Sequence, residues 1–501
     1  MRKHVSSEDD ILVLTTREKD WWWSLQEITP AIENVWTAIG RSRQETVRIL
    51  CVPLPSAIEQ DLLASAPWLK RIVITSVTPG TVRTALLLRT RMKAAAPMTI
   101  YVQGDATEGF HAFGELANVL TEKDVFVTAC HAEAVATRRS FPNAQVCVIP
   151  FPLVDQFKVA CEKRHARPGP ARLAYIGRVS AQKNLHTLLF ALWILRTFYD
   201  DAPRVGLDVY GGEDNLGSPN MGLESADYGT YLRGLAESLG MADTVTWHGV
   251  KPRDWLFYDV HQEPHVLVSP TLHSDENFGS SVLASLVNGN QVVTTAWGGH
   301  FGFQEWFSRQ LTLVPVHRST MGPVVHPALL ADAILEGVGR AASVVVEDAA
   351  LDAARAEFSE KTVAAHTVEM LRRPGRDPVP LRKSPTQQLI DERRDLFGGT
   401  RKIYADYQDP VAQIFFEAYG MKEPLTFEEG SSYVLVPWAS CSDDVLHIDD
   451  PHRGRRSISF DATISDPLKV TMCPSMETCR LPEHVVQSLV AEGHAFSVRK
   501  E

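Results

Sequence analysis

The chain has 501 residues, a formal net charge of −11, 44% apolar and 8% aromatic residues, and 7 cysteines. That length predicts several domains, each with a core of its own, and the acidic balance argues against a nucleic-acid binder, which needs concentrated Lys and Arg. The amino-terminal MRKHVSSEDD lacks the apolar centre of a secretory signal, and no run approaches the roughly 18 apolar residues of a membrane span. With scattered cysteines odd in number, a reduced, cytoplasmic protein is expected.

In chain order, residues 1–160 alternate β-branched runs with amphipathic stretches. Strands are predicted at 11–15, 47–52, 71–75, 98–102, 125–129 and 146–149, and helices between them at 24–39, 82–93 and 111–120. Strands alternating with helices read as a parallel sheet covered on both faces. The charged, Pro-rich EKRHARPGP at 162–170 breaks the pattern, which then restarts. Strands follow at 172–176, 206–210, 245–247, 265–268, 291–295 and 311–314, with helices at 184–199, 228–239, 253–261, 280–287 and 328–341. Residues 357–372, EFSEKTVAAHTVEMLR, predict a helix that closes this second domain, and the Pro- and Arg-rich 373–383 a linker. A helix at 410–419, strands at 433–436, 445–448, 457–460 and 468–472, and a helix at 483–492 ending at Gly493 predict a small α+β module. The expected organisation is thus α/β: two Rossmann-like doubly wound domains, 1–160 and 161–375, followed by a linker and accessory α+β module, 376–501.

The chemistry concentrates in the second domain. A strand delivers Gly177, where the backbone can turn and approach a ligand, and Arg178 and Lys183 follow within GRVSAQKN. Further on, HSDENFGSSVLASLV places Glu276, Asn277, Phe278 and Gly279 directly before a helix that opens with Ser280 and Ser281. A helix N-terminus offers unpaired N–H groups and the positive end of a dipole. Two cations and such a helix end suit a diphosphate, whereas Glu276 suits sugar hydroxyls or merely complements the dipole. Other features are weaker. Cys473 and Cys479, with His484 and His494 downstream, are spaced too widely for the usual zinc pair, so no metal is expected. Arg83, Arg89, Arg91 and Lys93 punctuate an apolar helix that could touch anionic lipid, but a solvated face explains them better, and membrane contact has no other support. A G-x-G-x-x-G fingerprint is absent, which disfavours a nicotinamide dehydrogenase.

The GR-x₃₋₄-KN turn, the E-N-F-G helix start, the G-x-x-VV-x-T-x-x-GG segment and the F-S-E-x-x-V helix together resemble the retaining, family-4 glycosyltransferases of the GT-B fold. The likeness is good over residues 120–372 and looser before them. It implies transfer of a sugar from a nucleotide-sugar donor to an acceptor hydroxyl, with no cofactor and no metal. By the same resemblance Arg178 and Lys183 would neutralise the donor diphosphate, Glu276 would hold sugar hydroxyls, and the Phe278–Ser281 backbone would touch sugar and phosphate. Gly211 and Gly212 would form the glycine turn at the nucleotide, with Gly249 and Val250 against the base.

The chain departs from the family at two places. Ala284 stands where a second Glu usually binds the ribose, which implies a weakened or altered donor preference. No His stands near Gln103, where many relatives have one. Acceptor contacts are expected from the 101–105 segment. Asp105 or His111 would position the acceptor hydroxyl, though each also reads as a loop or cap residue, and Trp21, Trp22 and Trp23 form either a sugar platform or core. The acceptor itself, whether glycan, lipid-linked, small molecule or peptide, is not specified. Two other readings stay open: a nucleotide-sugar epimerase, or a non-catalytic subunit that binds a glycan or a glycosylation partner.

Overall fold

The computed structural model describes residues 10–17, 23–54, 58–60, 62, 68–90, 96–104, 106–107, 109–142, 144–153, 171–213, 227–252, 255–261, 264–320, 322–343, 348–373, 385–396, 409–442, 444–450, 454–461 and 467–498. The chain divides into two compact units. The first holds residues 1–158 and 352–401, the second residues 159–351 and 402–501.

In the first unit, six strands form one sheet: β1 (Ile11–Thr16), β2 (Val47–Val52), β3 (Arg71–Ile74), β4 (Met98–Tyr101), β5 (Val125–Thr128) and β6 (Gln145–Val148). Their order is β2-β1-β3-β4-β5-β6, with every pairing parallel. A parallel sheet is buried on both faces, and β1, β4 and β5 are accordingly buried along their whole length.

The second unit repeats the scheme with β7 (Ala171–Ile176), β8 (Val205–Tyr210), β9 (Val245–Gly249), β10 (Val266–Ser269), β11 (Gln291–Thr295) and β12 (Leu311–Val314). The order is β12-β11-β10-β7-β8-β9, again parallel throughout. Succession runs outward from β7 in one direction and from β10 in the other. The loops leaving β7 and β10 therefore diverge at the switch point, where open α/β sheets hold their ligands. Both expected Rossmann-like sheets are present, at nearly the expected residues.

The allotment of the carboxy-terminal third differs from expectation in two respects. The helix Glu360–Arg372 belongs with the first unit, not the second. Its side chains face the first unit's long helix Trp23–Arg43, where Asn34 Nδ2 donates to Glu360 Oε1 at 3.2 Å. The stretch after residue 402, expected as a separate module, is part of the second unit. It carries a four-stranded sheet and a three-stranded antiparallel sheet, and it seats apolar side chains on the parallel-sheet unit: Phe496 lies 6.2 Å from Phe190 and 5.1 Å from His326, centroid to centroid. No helix among the described residues is long and apolar enough to cross a membrane.

Candidate functional site

The site is assembled where β7, β8, β9 and β10 end. Their loops are laced together through the backbone. Gly177 N–H donates to Tyr210 O (3.0 Å), Val179 N–H to Gly212 O (2.8 Å) and Gly211 N–H to Gly249 O (3.0 Å). A Cβ on Gly211 would lie 1.7 Å from Gly177 O, so this crossing requires glycine. Beside it the Tyr210 and His248 rings stack at 4.4 Å, with Trp255 5.9 Å from Tyr210, while Val250 is 56% exposed.

After β7, the hydroxyl of buried Tyr175 donates to Arg178 O at 2.6 Å and fixes the turn. Leu272 N–H donates to Gln182 O (2.9 Å) and Asn184 Nδ2 to Pro270 O (3.1 Å), which ties the β7 loop to the β10 loop. Across this tie the Lys183 ammonium pairs with the Glu276 carboxylate; the side chains are 15% and 12% exposed. Thr271 Oγ1 donates to the same Glu276 oxygen at 3.0 Å. Burial by itself would raise the Glu276 carboxyl, but the charge and hydrogen bond of Lys183 outweigh it and hold the group far below the usual carboxylate range.

Two histidines complete the surroundings. Burial first, then the charges of Lys183 and Arg178, keep His273 well below its ordinary value. Both cations therefore bear on one imidazole. The His273 ring is neutral, and its Nδ1 accepts from Asp275 N–H at 2.8 Å, so its proton sits on Nε2. His300, likewise lowered chiefly by burial, accepts or donates at Nδ1 with Thr294 Oγ1 (2.9 Å).

Gly279 starts the helix Ser280–Val287 in a left-handed conformation, φ +82°. A Cβ there would sit 2.7 Å from His300 Nε2, so the imidazole lies against the helix tip. The first-turn amides of this helix have no intrahelical acceptors. Arg178, Lys183 and Glu276 sum to one positive charge, to which the helix tip adds its partial charge, an arrangement suited to an entering dianion.

Of the expected residues, Gly177, Arg178, Lys183, Gly211, Gly212, Gly249, Glu276 and Gly279 converge at the loops leaving β7 to β10. Ser280 and Ser281 are half-buried in the helix's first turn. Asn277 is buried, and the Phe278 ring packs edge-on against Phe303 at 5.6 Å, so the backbone and not the ring is available at that position. His111 is exposed in the first turn of Phe110–Ala117 in the first unit. Asp105, Trp21 and Trp22 lie outside the described residues, as do Arg91 and Lys93, and nothing is described of the Trp23 side chain. Ala284 is 2% exposed and offers no carboxylate. Thr271, His273 and His300 were not expected here. Among the described residues no group of three or more His, Cys, Asp or Glu could hold a metal ion.

Residues 160–303 match the family described as Glycosyl transferases group 1. No curated protein matches the chain. Among solved structures it is similar to the lipopolysaccharide outer core galactosyltransferase WaaB (12% identity, TM-score 0.48, covering 72% of this chain and 98% of that one). It is also similar to the sucrose-phosphate synthase of Thermosynechococcus elongatus (14%, 0.45, 72% and 98%) and to a UDP-forming trehalose-phosphate synthase of Burkholderia xenovorans (12%, 0.45, 73% and 99%). Residues 160–303 thus match the glycosyl transferases group 1 family, and they lie in a chain whose two units each hold a six-stranded parallel α/β sheet.

Proposed function

We propose that the protein transfers a glycosyl group from a nucleoside-diphosphate sugar to an acceptor hydroxyl, with retention of configuration and without a metal ion. The observation that carries this reading is the Lys183–Glu276 pair beside the Gly279 helix tip, within the field of Arg178. A diphosphate entering there meets two cations and a row of free amides, which stabilise the charge that grows on the leaving group. Glu276, ionised at neutral pH, accepts from donor-sugar hydroxyls. The bond from the anomeric carbon to the diphosphate breaks, the acceptor oxygen attacks the same face, and its proton passes to the departing phosphate oxygen. Retention follows from the resemblance to family-4 enzymes. Gly211, Gly212, Gly249 and Val250 frame the nucleotide, with the Tyr210–His248 stack beside them. Asp105 or His111 positions the acceptor, whose chemical class is left to experiment.

The test is a panel of nucleotide sugars scored by thermal shift, since a ligand bound only by the folded state raises the melting temperature. One donor should stabilise the wild type, and the R178A/K183A double variant should fold yet show no shift. Turnover of that donor, with the anomeric configuration of the product read by NMR, then decides retention. A shift that survives in the double variant, or an inverted product, would refute the corresponding part of the proposal.

A further inference from the structure

The region after residue 402 has no role in the reading above, yet one piece of it reaches the back of the donor turn. The helix Pro410–Ala418 is capped by Asp409, whose carboxylate accepts from Val411 N–H at 3.0 Å, and it ends at Tyr419. Tyr419 O accepts from Gly298 N–H (3.1 Å), and the next amide, Gly299 N–H, donates to Glu276 O (2.8 Å). Consecutive glycines thus join the tail on one side to the backbone of Glu276 on the other. The fit is close: at Gly298, φ +54°, a Cβ would stand 2.2 Å from Glu276 O and 2.8 Å from the Tyr419 ring. The preceding Trp297 is fully buried, with its ring 5.7 Å from Tyr419 and 5.9 Å from Phe416, and its Nε1–H donates to His273 O at 2.7 Å. Lys422 then extends the seam. Its N–H donates to Val316 O (2.8 Å) and its O accepts from Arg318 N–H (3.0 Å).

We infer that residues 409–422 are a built-in buttress of the donor site, and that Tyr419 is a positioning residue acting through Gly298 and Gly299 on Glu276. The inference rests on the donor reading proposed above and deepens it. Within a rigid close-packed interior, slackening one wall moves what leans on it. Gly298, bonded to the tail, precedes Gly299, bonded to Glu276 O, and Trp297, packed on the tail, itself donates to His273 O, so the displacement reaches the donor side directly.

The test uses the full-length protein and a panel of UDP, GDP, ADP and dTDP titrated by calorimetry. If a diphosphate binds the wild type, Tyr419→Ala should weaken it roughly tenfold and lower kcat as well as raise the donor KM, the signature of a misplaced site. Tyr419→Phe, which keeps the ring and the carbonyl, should restore wild-type values. Val470→Ala, equally buried but in the four-stranded sheet of the same region, should leave diphosphate affinity unchanged. Hydrogen exchange on the wild type gives a readout that needs no variant: amides of 410–422 should slow when the diphosphate binds. Equal affinity in Tyr419→Ala, equal loss in Val470→Ala, or unchanged exchange in 410–422 overturns the buttress and leaves the donor reading standing. No binding by the wild type overturns both.

Discussion

Replacing Lys183 with Ala isolates what the Lys183–Glu276 pair does. The variant leaves a carboxylate largely shielded from water, still hydrogen-bonded to Thr271 but without its counter-ion. Removing one partner of a buried pair costs about 3–5 kcal/mol, whereas Glu276→Gln, which leaves a more flexible ammonium beside a neutral amide, should cost about 1.5–3 kcal/mol. The double variant should cost less than the two singles together, since the second change removes a charge the first has orphaned. The pH dependence gives an independent check. In the wild type the Glu276 carboxyl lies far below its ordinary value of 4.5, so its stabilisation is present above that value and is lost only in strong acid. In Lys183→Ala burial meets much less opposition and pushes the folded-state value upward. Stability of the variant should then rise as pH falls from neutral towards about 4.5, opposite to the wild-type trend in acid. Urea unfolding of the four proteins across that range supplies the numbers. A Lys183→Ala loss below about 0.5 kcal/mol, the scale of an exposed pair, would refute the argument, as would parallel pH profiles for variant and wild type.

Three further outcomes are expected. Burial, and secondarily His317, lowers His326 from 6.5 to about 4, so the unfolded chain binds a proton that the folded one refuses between those values; stability should fall by about 3 kcal/mol as pH drops through that window, and His326→Gln should remove that part of the slope. Gly279→Ala forces a methyl into a left-handed residue and against His300, so it should cost at least about 1–2 kcal/mol in chemical denaturation and weaken diphosphate binding; binding and stability equal to wild type would contradict the site geometry. Gln103, 5% exposed after β4, has no hydrogen-bond partner for either side-chain amide atom among the described residues; Gln103→Leu should raise stability by about 1–3 kcal/mol while lowering turnover, and a variant both more stable and fully active would remove Gln103 from acceptor binding.

The two sheets were legible because parallel strands buried on both faces are written as unbroken β-branched runs such as ILVLTT and QVVTT. The helix His131–Ser140 has a buried side made of Glu133, Ala134, Ala136, Thr137 and Ser140, a carboxylate and small residues that leave no apolar stripe in the sequence. The cations and the helix tip were legible as charge and as glycine-led helix start. Their direct pairing was not, since Lys183 and Glu276 stand 93 residues apart and meet only because β7 and β10 are neighbours in the sheet.

The carboxy-terminal third shows where local pattern stops informing. Ser359 caps its helix through Thr362 N–H at 3.2 Å, a start signal readable from F-S-E, but the helix's partner Asn34 lies 326 residues away and its unit could not be read locally. The same holds for Phe415, Phe416 and Tyr419: their spacing declares one apolar face and says nothing of what covers it. Gly298 and Gly299 stand out in the sequence as a glycine pair. In the folded unit each also lacks a side chain because another backbone occupies the place, that of Glu276 at one and Asn277 at the other. A glycine pair next to a buried tryptophan thus signals close approach as readily as a bend, and here it marks the line along which the tail and the donor turn meet.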